Sequence, residues 1–273
     1  MRSSRRRREK PVHWQLEQHW GQGGRPLPRR WVLADGGRPP APPGLGRFFQ
    51  WVLPPRAVVG AKPLDFSSEI TLICEDISRY CPELGHIDTS RMLCTFTPSR
   101  SRSKYGLQAR VTPMRLRGGQ TTERYRGWPY QLQKFHVHGR EMLYLVTFCL
   151  PRFLDQTFEE KLVTIFHELY HISPRFDGDI RRHPGRYSVH THSKASFDQH
   201  MTRLVKQYLD GHPDPRLLAW LRLSYAELWH RHGGIYGIVV PRPKLIPLLN
   251  DDPRQSPAAT PRLVEGDSVE PQE

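Results

Sequence analysis

Five consecutive residues carry most of the chemical information in this chain: His167, Glu168, Leu169, Tyr170 and His171, an H-E-x-x-H run. On an α-helix, positions i and i+4 share a face, so both imidazoles can reach one ion. Glu168 is one residue on from the first histidine and points about 100° round the helix, toward the space beside that ion. Two nitrogen ligands, a bound water and a carboxylate that can take the water's proton are the working parts of a zinc hydrolase.

That geometry needs a helix with a fixed start and a buried face. Thr157 followed by Glu160 has the form of a capping box. Phe158, Leu162, Ile165, Phe166 and Leu169 then recur at helical spacing and predict a buried stripe. Pro174 predicts the end of the helix about one turn past His171. Upstream, the apolar run Met142 to Leu150 is closed by Pro151 and reads as a buried strand feeding the helix.

Two histidines leave a catalytic zinc site one protein ligand short. In the metzincin pattern a Gly and a third ligand follow at fixed spacing, positions taken here by Pro174 and Asp177. Proline cannot adopt the positive φ of that Gly turn, which leaves Asp177 as an outlying candidate. A gluzincin draws a Glu from a downstream helix, but the helix expected after Ser196 carries Asp198 and no Glu. The other candidates are His183, His190 and His192. The last two are two residues apart, so an extended segment puts both on one face. His192, beside the following helix, is the first choice and His190 the second. The partner left over then sits behind the ligands or faces solvent.

The rest of the chain divides by composition. Residues 1–64 read as a basic, Pro/Gly-rich arm, largely disordered, although Trp14, Trp20, Trp31, Phe48, Phe49 and Trp51 offer points at which it could dock. A domain is expected over 65–210. It opens with a helix through Phe66, Ile70, Ile73, Cys74 and Ile77, capped by Ser67 or Ser68. Met92, Cys94 and Phe96 alternate as a strand, as do Leu107, Ala109 and Val111, and Pro113 predicts that the second is an edge. The basic loop between them, Pro98 to Gly106, reads as a solvated hairpin tip, and residues 117–140 read as loop. Ser196 with Gln199 is a second capping-box pattern. Residues 211–248 are expected to add a helix from Pro215 to Gly233 and a short strand over Ile235 to Val240. Residues 249–273 read as an acidic disordered tail.

Length allows one good core, yet apolar residues are only 37% of the chain, with Pro 26 and Gly 21. No apolar run approaches a membrane span. The Arg5 to Arg8 run has no apolar stretch behind it, so a secretory signal is not expected and a cytoplasmic location is. Cys74, Cys81, Cys94 and Cys149 lack metal-type C-x-x-C spacing and read as reduced, mostly buried thiols. The net charge of +14 is uneven: residues 1–60 hold 12 Lys/Arg against 3 acids, and residues 249–273 hold 2 against 6. A basic arm on a basic body suggests an anionic partner, with nucleic acid first among candidates.

His-Glu-Leu-Tyr-His, followed by Ile172-Ser173-Pro174-Arg175-Phe176-Asp177-Gly178 and a later His just before a helix, resembles the small zincin-type metallopeptidases of bacteria and phages. The resemblance covers Asp65 to Leu209 and is firmest over residues 142–209. It implies an α+β fold: a minimal zincin-like domain with a small mixed or antiparallel sheet, a backing helix and the H-E-x-x-H helix. It also implies His167 and His171 as zinc ligands and Glu168 as general base. The expectation is therefore a zinc metallopeptidase acting on protein or peptide substrates, with the strand near Val111 holding the substrate by backbone pairing. The alternatives are a nucleic-acid-associated protein with a structural, four-ligand zinc site, and a protease tethered to DNA through its arm. Arg181, Arg186 and Tyr187 lie near in sequence, and none is singled out as donor to an oxyanion.

Overall fold

In the computed structural model the described residues are 63–99, 106–125, 128–137, 139–182, 194–240 and 242–248, with three short strands at 15–17, 30–32 and 49–51. They form a mixed α+β arrangement of helices and several small sheets. Among them no helix is long and apolar enough to cross a membrane.

Within the arm the placed strands are β1 (Gln15–Glu17), β2 (Arg30–Val32) and β3 (Phe49–Trp51). Next come β4 (Leu64–Asp65) and α1 (Phe66–Tyr80). The cap of α1 is Asp65, whose Oδ1 accepts from Ser68 N at 3.1 Å, so neither serine expected as the cap fills that place. A carboxylate there satisfies an orphan N–H and also meets the positive end of the helix dipole. Ser67 is buried instead, and its Oγ accepts from Ile238 N at 2.8 Å. Phe66 opens the buried stripe, with Phe96, Phe148, Phe153 and Trp220 edge-on around it at 5.6 to 6.3 Å between ring centroids. Burying such a ring contributes roughly 1.5–3 kcal/mol.

The sheet behind the H-E-x-x-H helix consists of β5 (Met92–Pro98), β6 (Ala109–Pro113) and β11 (Tyr144–Leu150), in the order β5-β11-β6. β11 runs parallel to β5 and antiparallel to β6. The two strands read as flanking a hairpin tip are therefore not neighbours. Every residue of β11 is buried, and a strand apolar on both faces takes the middle of a sheet. β6 is an edge, as Pro113 predicts. Alternation sorts the faces: Val146 and Phe148 join the main core, while Leu145 joins a smaller cluster with Leu93, Met114, Phe135 and Met142.

Residues 117–140, expected as loop, contain β7 (Thr122–Tyr125), β8 (Trp128–Leu132) and β9 (Phe135–Val137), and β10 (Arg140–Glu141) follows. These strands are two to five residues long, too short for alternation to show. Their partners are distant in sequence: β2 lies against β9, and β13 (Leu245–Pro247) against β8.

Then follow α2 (Phe158–Tyr170), α3 (Lys194–Asp210), α4 (Pro215–Leu218) and α5 (Tyr225–His232), and β12 (Ile235–Ile238) between β3 and β4. α3 starts before Ser196, so Ser196 lies within its first turn rather than at the cap. The single helix expected from Pro215 is split. Ser224 and Glu227 form a second capping box that restarts the helix, and Gly233 ends it at φ +69°. Lys161 ties α2 to the break: its buried Nζ donates to Leu221 O at 3.0 Å and Leu223 O at 2.7 Å. All four cysteines are free and buried.

Candidate active site

The capping box fixes the rotation of α2. Thr157 Oγ1 accepts from Glu160 N at 3.2 Å, and Glu160 Oε2 accepts from Thr157 N at 2.8 Å. Leu162, Ile165, Phe166 and Leu169 are fully buried, which orients the remaining positions. His167 and His171 then lie together, their ring centroids 4.6 Å apart and their planes at 76°. Zinc holds nitrogen ligands at about 2.0–2.1 Å, so two nitrogens on one ion sit no more than roughly 4 Å apart. Rings this close allow it.

Phe197 of α3 packs on both imidazoles, edge-on to His167 at 5.0 Å and stacked near-parallel to His171 at 6.0 Å. Helical spacing assigns Phe197 only to the apolar stripe of α3. Nothing in that spacing distinguishes a ring that packs on ligands from one that packs on leucines.

Glu168 is 7% exposed, and its Oε2 accepts from the backbone N–H of Val111 at 2.7 Å. Burial pushes its carboxyl up to about 7, against the Val111 N–H and the Arg110 charge, which both favour the ionised form. The strand near Val111 was expected beside the site. Its hydrogen bond to Glu168 had no signal in the sequence.

α2 ends at Tyr170, with His171 as its C-cap, rather than one turn further on. A folded loop takes the last carbonyls before Pro174 is reached. The N–H of Arg181 donates to His171 O at 2.6 Å, and its Nε to Tyr170 O at 2.7 Å. The positive φ values that turn the chain fall on Phe176 (49°) and Gly178 (85°). A Cβ at Gly178 would collide with the Arg115 side chain. Tyr144 Oη on β11 accepts from Gly178 N at 2.9 Å and donates to Asp179 O at 2.7 Å. Asp179, itself buried, accepts from Gly118 N at 2.7 Å and from Arg182.

Asp177 is held within this loop, accepting from Arg175 Nε at 3.0 Å and Asp179 N at 3.2 Å. Burial works to raise its carboxyl, but hydrogen bonds from Ser173 and Asp179 and the Arg175 charge outweigh it and hold it below its ordinary value. The other third-ligand candidates, His183, His190 and His192, lie outside the described residues, as do Arg186 and Tyr187. Among the described residues no group of three His, Cys, Asp or Glu is arranged to hold a metal ion. The placed pair, His167 and His171, supplies two nitrogen donors of the type zinc takes.

Comparison with protein-family models, curated proteins and solved structures found no match to this chain.

Proposed function

We propose that this chain is a zinc-dependent metallopeptidase on a minimal zincin-like domain, hydrolysing peptide bonds of protein or peptide substrates with Glu168 as general base. The observation that carries this reading is a pair of imidazoles with ring centroids 4.6 Å apart on the same helix as a buried carboxylate, which burial pushes above its ordinary pKa. A general base works best when its pKa lies near the operating pH.

His167 and His171 would hold the ion, with a third ligand from His183, His190 or His192. Bound zinc supplies Lewis acidity and lowers the pKa of a coordinated water toward about 7. Glu168 takes the proton of the attacking water and delivers it to the leaving amine nitrogen. The outer edge of β6 orients the scissile chain by backbone pairing. Phe197 covers the imidazoles from the α3 side and restricts their rotation.

The test is metal content together with activity. Purified protein should carry about one zinc, and His167→Ala or His171→Ala should remove it. Glu168→Gln keeps the size and much of the hydrogen bonding but removes the base. Zinc should stay, and cleavage of unstructured proteins should fall ~100-fold or more. Stoichiometric zinc in both histidine variants, or full activity in the Gln variant, overturns the reading.

A second reading is favoured by charge, since residues 1–60 hold 12 Lys/Arg against 3 acids. It is a nucleic-acid-associated protein whose zinc is structural, or a protease tethered to nucleic acid. A closed site using both His190 and His192 would mark structural zinc, and three protein ligands would mark the peptidase.

A further inference from the structure

The outer edge of β6 holds few hydrogen-bond donors, and one of them is already taken. Gln108 O accepts from Cys149 N, and Met114 N donates to Leu143 O. With the register Val111 to Val146, alternation makes Arg110 and Thr112 the residues that exchange bonds with β11. Ala109, Val111 and Pro113 therefore turn their backbone groups outward. Proline has no N–H, so the outward donors of β6 are those of Ala109 and Val111. The Val111 N–H is the one bonded to Glu168 Oε2 at 2.7 Å.

We propose that this single N–H is an exchange point: Glu168 occupies it in the free protein, and a peptide strand pairing on β6 takes it over and releases the carboxylate. The proposal rests on the peptidase reading and adds a positioning role for the Val111 backbone. One N–H serves one acceptor at good geometry, so carboxylate and peptide carbonyl compete for it. The peptide must therefore displace a charge-assisted bond, which lowers its affinity below that of a bare edge. In return the base is held away from solvent until substrate arrives, and its release coincides with the carbonyl's arrival.

The test uses the full chain with a chelator present and a blocked, uncharged Ser/Thr/Val octapeptide as probe. In wild type the Val111 amide should exchange slowly without peptide. In Glu168→Ala it should exchange ~10-fold faster or more, and peptide should restore protection. Glu168→Ala should also bind the peptide ~5–10-fold more tightly than wild type, with Glu168→Gln in between. Val111→Pro removes the outward N–H and leaves the bonds to β11 in place. In that background Glu168→Ala should change affinity no further. Should the Pro variant fail to fold, the Ala and Gln variants decide the matter by themselves. Equal or weaker peptide binding in Glu168→Ala, unchanged exchange at Val111, or no peptide binding by any variant overturns the proposal. Cleavage of unstructured protein by zinc-loaded wild type is scored separately. Cleavage without the affinity change sinks the exchange and keeps the peptidase, while the affinity change without cleavage does the reverse.

Discussion

Arg181 grips the end of the helix that carries both histidines. Its backbone N–H donates to His171 O at 2.6 Å, its Nε donates to Tyr170 O at 2.7 Å, and its guanidinium lies 4.0 Å over the Tyr170 ring. The residue thereby holds the carbonyl end of α2 at Tyr170 and His171.

Arg181→Ala should therefore weaken zinc binding without removing a ligand. A loss of about 10-fold or more is the scale for groups that orient ligands. Competition against a chromophoric chelator measures it, and Arg181→Lys should recover only part because it cannot supply the planar fork and stack. Unchanged affinity in Arg181→Ala would show that the backbone bond alone holds His171.

Replacing His183, His190 and His192 singly with Ala should identify the third ligand. One variant should lose zinc on dialysis as fully as His167→Ala, and the other two should keep it. Asp177→Asn should keep zinc, because its carboxylate is engaged by Arg175, Ser173 and Asp179. Loss of zinc in two of the histidine variants would point to a closed structural site.

Lys161→Met should destabilise the fold by about 2 kcal/mol, since two carbonyls of the 220–223 turn lose their donor in a buried setting. Burial holds the Lys161 amine below its ordinary 10.5, against Asp155 and Glu227, which favour the charge. The folded chain thus releases this proton at lower pH than the unfolded chain. Between the two values the unfolded state binds more protons, so wild-type stability rises with pH across that window. Met carries no proton, so the gap between wild type and variant should widen as pH approaches 10.5 and level off above it. Denaturant midpoints at a series of alkaline pH values would show a flat gap if Lys161 were not depressed.

A test of the basic arm should spare its strands that pair with β9 and β12. Changing Arg5, Arg6, Arg7 and Arg8 to Ser removes charge outside those strands. Affinity for DNA should fall, and the salt dependence should flatten by up to ~0.9 for each phosphate no longer neutralised. No binding by the intact chain at low salt would remove nucleic acid as a partner.

The sequence by itself determined the local features. The capping box at Thr157 and Glu160, the buried stripe of α2, the all-apolar β11 and the edge character of β6 depend on residues close together in the chain, so spacing reveals them. Pairing the two histidines needed only the period of a helix. Even local signals were missed where two competed: Asp65 outranked the serines after it, and Ser224 with Glu227 restarted a helix that apolar spacing alone ran through. Tertiary structure decided the rest. The insertion of β11 between β5 and β6, Phe197 on the imidazoles, Arg181 on the His171 carbonyl and Val111 N–H on Glu168 join residues up to 57 positions apart. Two of these bonds use backbone groups, which every non-proline residue carries alike, so no side-chain pattern can announce them. Whether Glu168 is buried, and hence where its proton sits, follows from what packs over it, and only the folded chain fixes that.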